Sequence, residues 1–153
     1  MTPEAAAAAA PTVIDPFALL PHRFPFLLLD TITVGEPGRR VTGTKAVTGS
    51  ESSLIGAGAS DRVHAMPHLL IVEALAQLSA AILVALLDGK SGAIGYFIGI
   101  DRVRFRSDAM PGDILDLSVE LRQFRRGICR SRGVARVGAQ RIVQADLTTI
   151  LRS

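Results

Sequence analysis

Met66-Pro67-His68-Leu69-Leu70-Ile71-Val72-Glu73-Ala74-Leu75-Ala76-Gln77 opens a long, almost wholly apolar run, and the reading of that run decides the fold. Pro67 suits a first helical position, because its fixed φ matches a helix and its missing N–H is one that a helix start leaves unused. From Leu69 to Leu87 every residue is apolar apart from Glu73, Gln77 and Ser79, and Asp88-Gly89 then supplies a stop. A helix that is apolar on all sides is one enclosed by protein. The run is long enough to raise a membrane span. Glu73 and Gln77 near its start are costly in lipid, however, and the rest of the chain reads as sheet, so no span is expected. Glu73 is the anomaly: a carboxylate in such a run must be paired, hydrogen-bonded, shifted in pKa or at work.

Before the helix, Phe17 to Leu20 suits one helical turn, and Phe26 to Val34 alternates poorly but is rich in strand formers. Glu36-Pro37-Gly38-Arg39 supplies a turn, and Arg40 to Val47 reads as a second short strand with polar Thr42, Thr44 and Lys45 interleaved. Thr48 to His64 shows no periodicity and contains Gly56-Ala57-Gly58-Ala59, which reads as a loop. After the helix, Ala93 to Arg106, Ile114 to Phe124, Ile128 to Val137 and Arg141 to Leu151 read as four long strands. Met110-Pro111-Gly112-Asp113, Arg126-Gly127 and Gly138-Ala139 connect them, and the last three strands form an antiparallel meander because these links are too short for crossovers. Two strands, one greasy helix and four strands make an α+β fold, a curled antiparallel sheet around a central helix. Residues 1–15 are expected to be a flexible tail, and residues 16–153 one domain, large enough to bury a core.

Composition bounds the function. The chain is 48% hydrophobic but only 5% aromatic, so the core must be aliphatic. A single cysteine, Cys129, excludes an internal disulfide and fits a reducing compartment; in a predicted strand it is expected to pack rather than react. The Ala5–Ala10 run has no basic segment before it and is too weakly hydrophobic for a secretory signal, so a cytoplasmic location is expected. Arginine supplies 15 of the 17 basic residues, but the net charge is only +3 and aromatics do not interleave with them. No nucleic-acid role is expected. The arginines read as a solvated outer face or sheet edge, with a docking patch for an acidic partner as the sharper alternative.

Four segments then carry a resemblance. They are Leu20-Pro21-His22-Arg23-Phe24-Pro25-Phe26-Leu27-Leu28-Leu29-Asp30, Met66-Pro67 with Leu70 to Gln77, Gly99-Ile100-Asp101 with Arg104-Phe105-Arg106, and Pro111-Gly112-Asp113. Together, in this order, they are similar to the hotdog-fold (3R)-hydroxyacyl-[acyl-carrier-protein] dehydratases of type II fatty-acid synthesis, the FabZ/FabA type. The resemblance implies a homodimer or higher oligomer in which sheets join edge to edge and sites lie at the interface. It implies a loop His and a helix Glu or Asp from the partner subunit, an acyl thioester on acyl carrier protein or CoA held in a narrow apolar tunnel, and no metal or redox cofactor. It also puts Ala59, Leu69, Gln77, Phe97 and Gly99 at substrate-contacting positions. The chemistry suits such a pair: removing water across the α,β bond needs a base for the α-proton and an acid for the departing hydroxyl.

The loop departs from the family's Gly-His-Phe-Pro-Gly-x-Pro-x-Met-Pro-Gly. Counting back from Met66-Pro67 puts Gly58-Ala59-Ser60-Asp61-Arg62-Val63-His64-Ala65 there, so Ala59 takes the place of the His and His68 that of the Gly at the helix start. Glu73 and Gln77 match. His68 and Glu73 lie five residues apart, about 140° round a helix, and do not share a face. Three readings stay open: a dehydratase using Glu73 with His64 or His68 as substitute base, a thioesterase working from Glu73, and a non-catalytic subunit completing a related dehydratase in a heterodimer. Asp61 is a loop carboxylate that nothing places, and His22 is expected to fix a turn.

Overall fold

The structure is a computed structural model that describes residues 10–51, 64–87 and 94–152. Among the described residues there are seven strands: β1 (Thr12–Ile14), β2 (Thr31–Glu36), β3 (Arg40–Ala46), β4 (Ile94–Phe105), β5 (Ile114–Arg125), β6 (Ile128–Val137) and β7 (Gln140–Arg152). They form one antiparallel sheet in the order β1-β2-β3-β5-β6-β7-β4. A short α1 (Pro16–Leu19) precedes β2, and the long α2 (His68–Leu87) packs against β2 to β7. The expected α+β architecture and the β5-β6-β7 meander are both present.

Period-two alternation fixes which face is buried. Leu115, Leu117 and Val119 of β5, Cys129 and Ala135 of β6, and Val143, Ala145 and Leu147 of β7 all point at the helix. From the helix, Ile71, Leu75, Leu78 and Ile82 answer them, each essentially inaccessible to water. Each such side chain contributes about 1.5–3 kcal/mol on burial. Close approach depends on missing side chains: a Cβ on Gly133 would meet Leu75 at 3.1–3.3 Å, and one on Gly43 would stand 2.5 Å from the Thr31 carbonyl. Burial also pushes the Cys129 thiol up to about 11, which keeps it a packing group.

Turn chemistry sets the register. Arg126 and Gly127 both have positive φ (52° and 76°), the conformation of a two-residue type I′ hairpin, and Arg125 pairs with Ile128 across it. Gly38 follows Pro37 with a φ of 69°, and the Arg39 N–H donates to the Glu36 carbonyl at 3.0 Å, the closure expected of a Pro-Gly turn. Among the described residues no helix is long and apolar enough to cross a membrane.

Two boundaries differ from the sequence reading. Thr12–Ile14 pairs with Ile32–Val34, so ordered structure starts inside the stretch expected to be a tail over residues 1–15. Phe26–Asp30 is not strand; β2 begins only at Thr31. In that stretch the backbone bonds to a helix side chain and to β3 rather than to a ladder partner: the Leu28 N–H donates to Gln77 and the Asp30 N–H to the Thr44 carbonyl.

Polar groups are scarce in the interior. One pair stands out: Lys45 occupies an inward position of β3, and its Nζ lies 2.7 Å from Glu51, both side chains being almost fully buried. Burial would raise the Glu51 pKa, but Lys45, backbone N–H donors and Thr48 together hold the carboxyl below its ordinary range.

Candidate functional site

Glu73 and Gln77 are one turn apart on α2, and both face the segment that runs into β2. Gln77 is 2% exposed, and its amide makes three hydrogen bonds. Its Nε2 donates to the Phe26 carbonyl at 2.8 Å and to Glu73 Oε1 at 3.0 Å, while its Oε1 accepts from the Leu28 N–H at 3.0 Å. The partners settle the amide orientation, since only the oxygen can accept from a backbone N–H. Gln77 therefore does two things at once. It fixes the Glu73 carboxylate, and it ties residues 26–28 across the face of the helix.

That tie brings in His22. Residues 20–27 fold into a compact turn: the Arg23 guanidinium donates to the Leu20 and His22 carbonyls at 2.7 and 2.8 Å and stacks 3.9 Å above the Phe17 ring. Phe26 and Leu27 N–H groups both donate to the Arg23 carbonyl, and the Phe24–Pro25 peptide is cis. The turn places His22 Nε2 3.6 Å from Glu73 Oε1, inside ionic reach but longer than a hydrogen bond. His22 Nδ1 is buried and has no partner among the described residues.

These groups border a cavity of about 310 Å³ lined by His22, Glu73, Ala76, Gln77, Ser79, Ala80 and Leu83 on one side and Gly95, Phe97 and Thr149 on the other. Its helix wall is a single stripe, with Glu73 at one end, small Ala76 and Ala80 forming a groove, and Leu83 beyond them. The opposite wall comes from β4 and β7. Among its described lining residues, Glu73 and His22 alone carry ionisable side chains, so a carboxylate stands at the head of an otherwise weakly polar groove. Glu73 keeps 31% of its side-chain surface accessible, enough for a ligand to reach it. No cluster of metal-ligating side chains occurs among the described residues.

The other expected site residues fall in different places. Ala59 and Asp61 lie outside the described residues. His64 is exposed on the approach to α2 and is not among the residues lining the cavity. His68, at the first position of α2, faces the end of β4: its Nε2 lies 2.9 Å from the Ser107 carbonyl and 3.1 Å from Asp108 Oδ1, and its ring stacks on Phe105 at 4.9 Å. The structure thus brings Glu73, Gln77 and Phe97 together and leaves His64 and His68 apart from them. Leu69 is 72% exposed, and Gly99 sits at a register shift of β4, near Thr148. Gln77, expected to touch substrate, has both of its N–H donors and one acceptor position of its oxygen taken by protein.

Sequence reasoning missed His22, Ala76, Ser79, Ala80, Leu83, Gly95 and Thr149 as cavity residues. Helical spacing from Glu73 would have found Ala76, Ala80 and Leu83. Nothing local places His22 or Thr149 at the site, which they reach through the Gln77 tie and the β-sheet register.

One β4 feature bears on the site. β4 is twelve residues long and bonded to β7 on one side only, and Tyr96, Phe97, Ile98 and Ile100 are exposed along it. Consecutive apolar residues exposed on both faces of a long edge strand are unusual for a free surface.

Residues 20–146 match the FabA-like domain family. A 3-hydroxyacyl-[acyl-carrier-protein] dehydratase FabZ of Roseiflexus sp. (strain RS-1) is 42% identical over 142 residues, covering 93% of this chain and 97% of the relative. The FabZ of Bacillus velezensis is 41% identical over 87% of this chain and 92% of its own. Among solved structures, the dehydratase heterocomplex ApeI:P from Xenorhabdus doucetiae superimposes with a TM-score of 0.72, at 19% identity and 92% coverage of both chains. A hot-dog-like protein from Thermanaerovibrio acidaminovorans does so at 0.63, with 17% identity, over 76% of this chain and 83% of its own. The fold is thus the hotdog fold. With one family model spanning most of its length and relatives above 40% identity across it, the chain belongs to the FabA-like family, with the FabZ dehydratases as relatives.

Proposed function

We propose that this protein dehydrates 3-hydroxyacyl thioesters carried on acyl carrier protein, with Glu73 as the proton-transfer group. The observation that carries the reading is the carboxylate of Glu73, held by Gln77 at the head of a groove lined by Ala76, Ala80 and Leu83. The groove suits an acyl chain, and the carboxylate stands where its first carbons would enter.

The reaction needs no redox group. The α-proton is acidified by the neighbouring thioester carbonyl, a base removes it, and the β-hydroxyl leaves as water when it gains a proton. Glu73 takes the α-proton and, once protonated, returns it to the hydroxyl on the same face as the C–O bond breaks. Atoms balance: one carboxyl begins and ends ionised, and one water is released. The single-carboxyl route answers the placement of Ala59 at the family's His position in the sequence.

The working unit we propose is a homodimer formed through β4. Its unpaired backbone edge and its exposed Tyr96, Ile98 and Ile100 supply both ladder hydrogen bonds and apolar surface for a second β4. Gly95 and Phe97 of the same strand line the cavity, so pairing there completes the site's wall.

The test is product analysis with 3-hydroxydecanoyl-ACP and the corresponding CoA ester. Growth of enoyl-thioester absorbance with no free thiol supports dehydration, and a faster reaction with the ACP form supports that carrier. Thiol release without enoyl product would replace the reading with hydrolysis. Absence of either product, with activity appearing only on addition of a FabZ homologue, would replace it with a subunit of a mixed complex.

A further inference from the structure

We infer that His22 is a positioning residue for Glu73: with its proton on Nε2, it faces Oε1 together with Gln77 and leaves Oε2 as the atom that meets the substrate. This rests on the reading of Glu73 given above and deepens it.

Three observations support it. First, Gln77 Nε2 and His22 Nε2 approach the same carboxylate oxygen, at 3.0 and 3.6 Å. Both polar neighbours thus converge on Oε1, and none of the described residues hydrogen-bonds to Oε2. Second, His22 Nδ1 is buried and unpartnered. A neutral imidazole has one N–H and one lone pair. Placing the proton on Nδ1 would bury a donor with no acceptor, whereas placing it on Nε2 aims it at a carboxylate and leaves only a lone pair unmet, the cheaper orphan. Third, the turn that carries His22 is rigidly made, by Arg23 on two carbonyls and by Gln77 on Phe26 and Leu28. The same Gln77 amide therefore locks both partners of the contact. A contact of this length becomes a hydrogen bond by a shift of a few tenths of an ångström, the kind of tightening that substrate binding commonly brings to catalytic groups.

No other charged group competes among the described residues that line the groove. From α2 the described lining residues beside Glu73 are Ala76, Gln77, Ser79, Ala80 and Leu83; from β4 and β7 they are Gly95, Phe97 and Thr149. His22 is then the one titratable side chain facing Glu73 from the segment before β2. A ring proton fixed on Nε2 also means that His22 does not act as the base that takes the α-proton, because the nitrogen nearest Glu73 has no lone pair to offer.

Two measurements test this, and they fail separately. ¹⁵N NMR of the full chain labelled at histidine reads the tautomer of His22 without any need for turnover. The Nε2–H form is expected, and the Nδ1–H form would overturn the inference even if the protein is a dehydratase. With 3-hydroxydecanoyl-ACP, His22→Phe, checked for folding by its thermal melt, should lower kcat by about ten- to fiftyfold with KM changed less than about threefold. His22→Gln, whose Nε2–H reaches the same point, should restore kcat to within about fivefold of wild type. A Gln variant as slow as the Phe variant and revived by free imidazole would make His22 a proton carrier instead. Failure of wild type to turn over the substrate would sink the dehydratase reading, while the NMR result would still decide the tautomer.

Discussion

Two histidines flank helix α2, and they sit in opposite circumstances. His68 begins the helix, five residues from Glu73, and is engaged elsewhere: its ring stacks on Phe105 and its Nε2 meets the Ser107 carbonyl and Asp108. His22 belongs to a turn far upstream in the chain, yet lies 3.6 Å from the Glu73 carboxylate with its second nitrogen unused. Nearness in sequence pointed to His68, whereas the histidine set beside the carboxylate is His22. A helix rotates neighbours away from one another, whereas a buried glutamine can draw a remote turn against its face. The contrast teaches that the site is organised from Gln77 outward rather than along the helix from its start.

The strongest blow to that contrast would fall on the carboxylate itself. Glu73→Gln should lower kcat on 3-hydroxydecanoyl-ACP by about 10²–10⁴-fold, the usual contribution of a positioned acid or base. An unchanged rate in the enoyl-absorbance assay would remove the cavity from the chemistry. Gln77→Leu comes next. It leaves the Phe26 carbonyl and Leu28 N–H without their buried partner, and should cost about 2–4 kcal/mol in urea unfolding while releasing the His22 turn. Stability within error of wild type would mean that the tie is incidental.

A network away from both histidines gives a comparison with fixed-charge partners. Asp146 lies between Arg132, at 2.8 Å, and Arg102, and those guanidinium groups, Arg132 foremost, hold its carboxyl below the ordinary range despite partial burial. A depressed carboxylate pKa stabilises the fold above the unfolded-state value and loses that contribution as pH falls through the folded-state value. Asp146→Asn should therefore flatten the acid side of the stability curve below about pH 4 and leave the dehydratase rate little changed. Urea midpoints measured across pH 2.5–7 would check this; an acid slope identical to wild type would argue against it. The smallest effect is expected at His68→Ala: about 1 kcal/mol of stability from the lost stack and hydrogen bonds, with kcat changed less than about threefold. A large loss of kcat there would overturn the division between the two histidines.

Much of the architecture could be read from the residues, and the reasons are specific. The helix announced itself by length and uniform apolarity, and β5, β6 and β7 by alternation between clear turns such as Arg126-Gly127. Phe26–Asp30 was misread as strand because its apolar residues are strand formers, while its backbone bonds go to Gln77 and β3, a long-range arrangement with no local signature. Thr12–Ile14 escaped notice since three residues carry too little periodicity to register. In the site, Glu73 stood out as a charge among aliphatics, and Phe97 followed from the family resemblance. His22 could not be placed, as its approach depends on a side-chain amide 55 residues later in the chain than itself (77 − 22).

The edge strand carries a consequence in mass-action terms. Gly95 and Phe97 wall the cavity, while Tyr96, Ile98 and Ile100 beside them would bury against a second β4 in the dimer we propose. Assembly and site geometry then draw on one continuous stretch of backbone, so the concentration of competent sites depends on the square of the free protomer. Dilution below the dimer dissociation constant should make specific activity fall with protein concentration, and any agent that caps the β4 edge should inhibit without ever entering the groove.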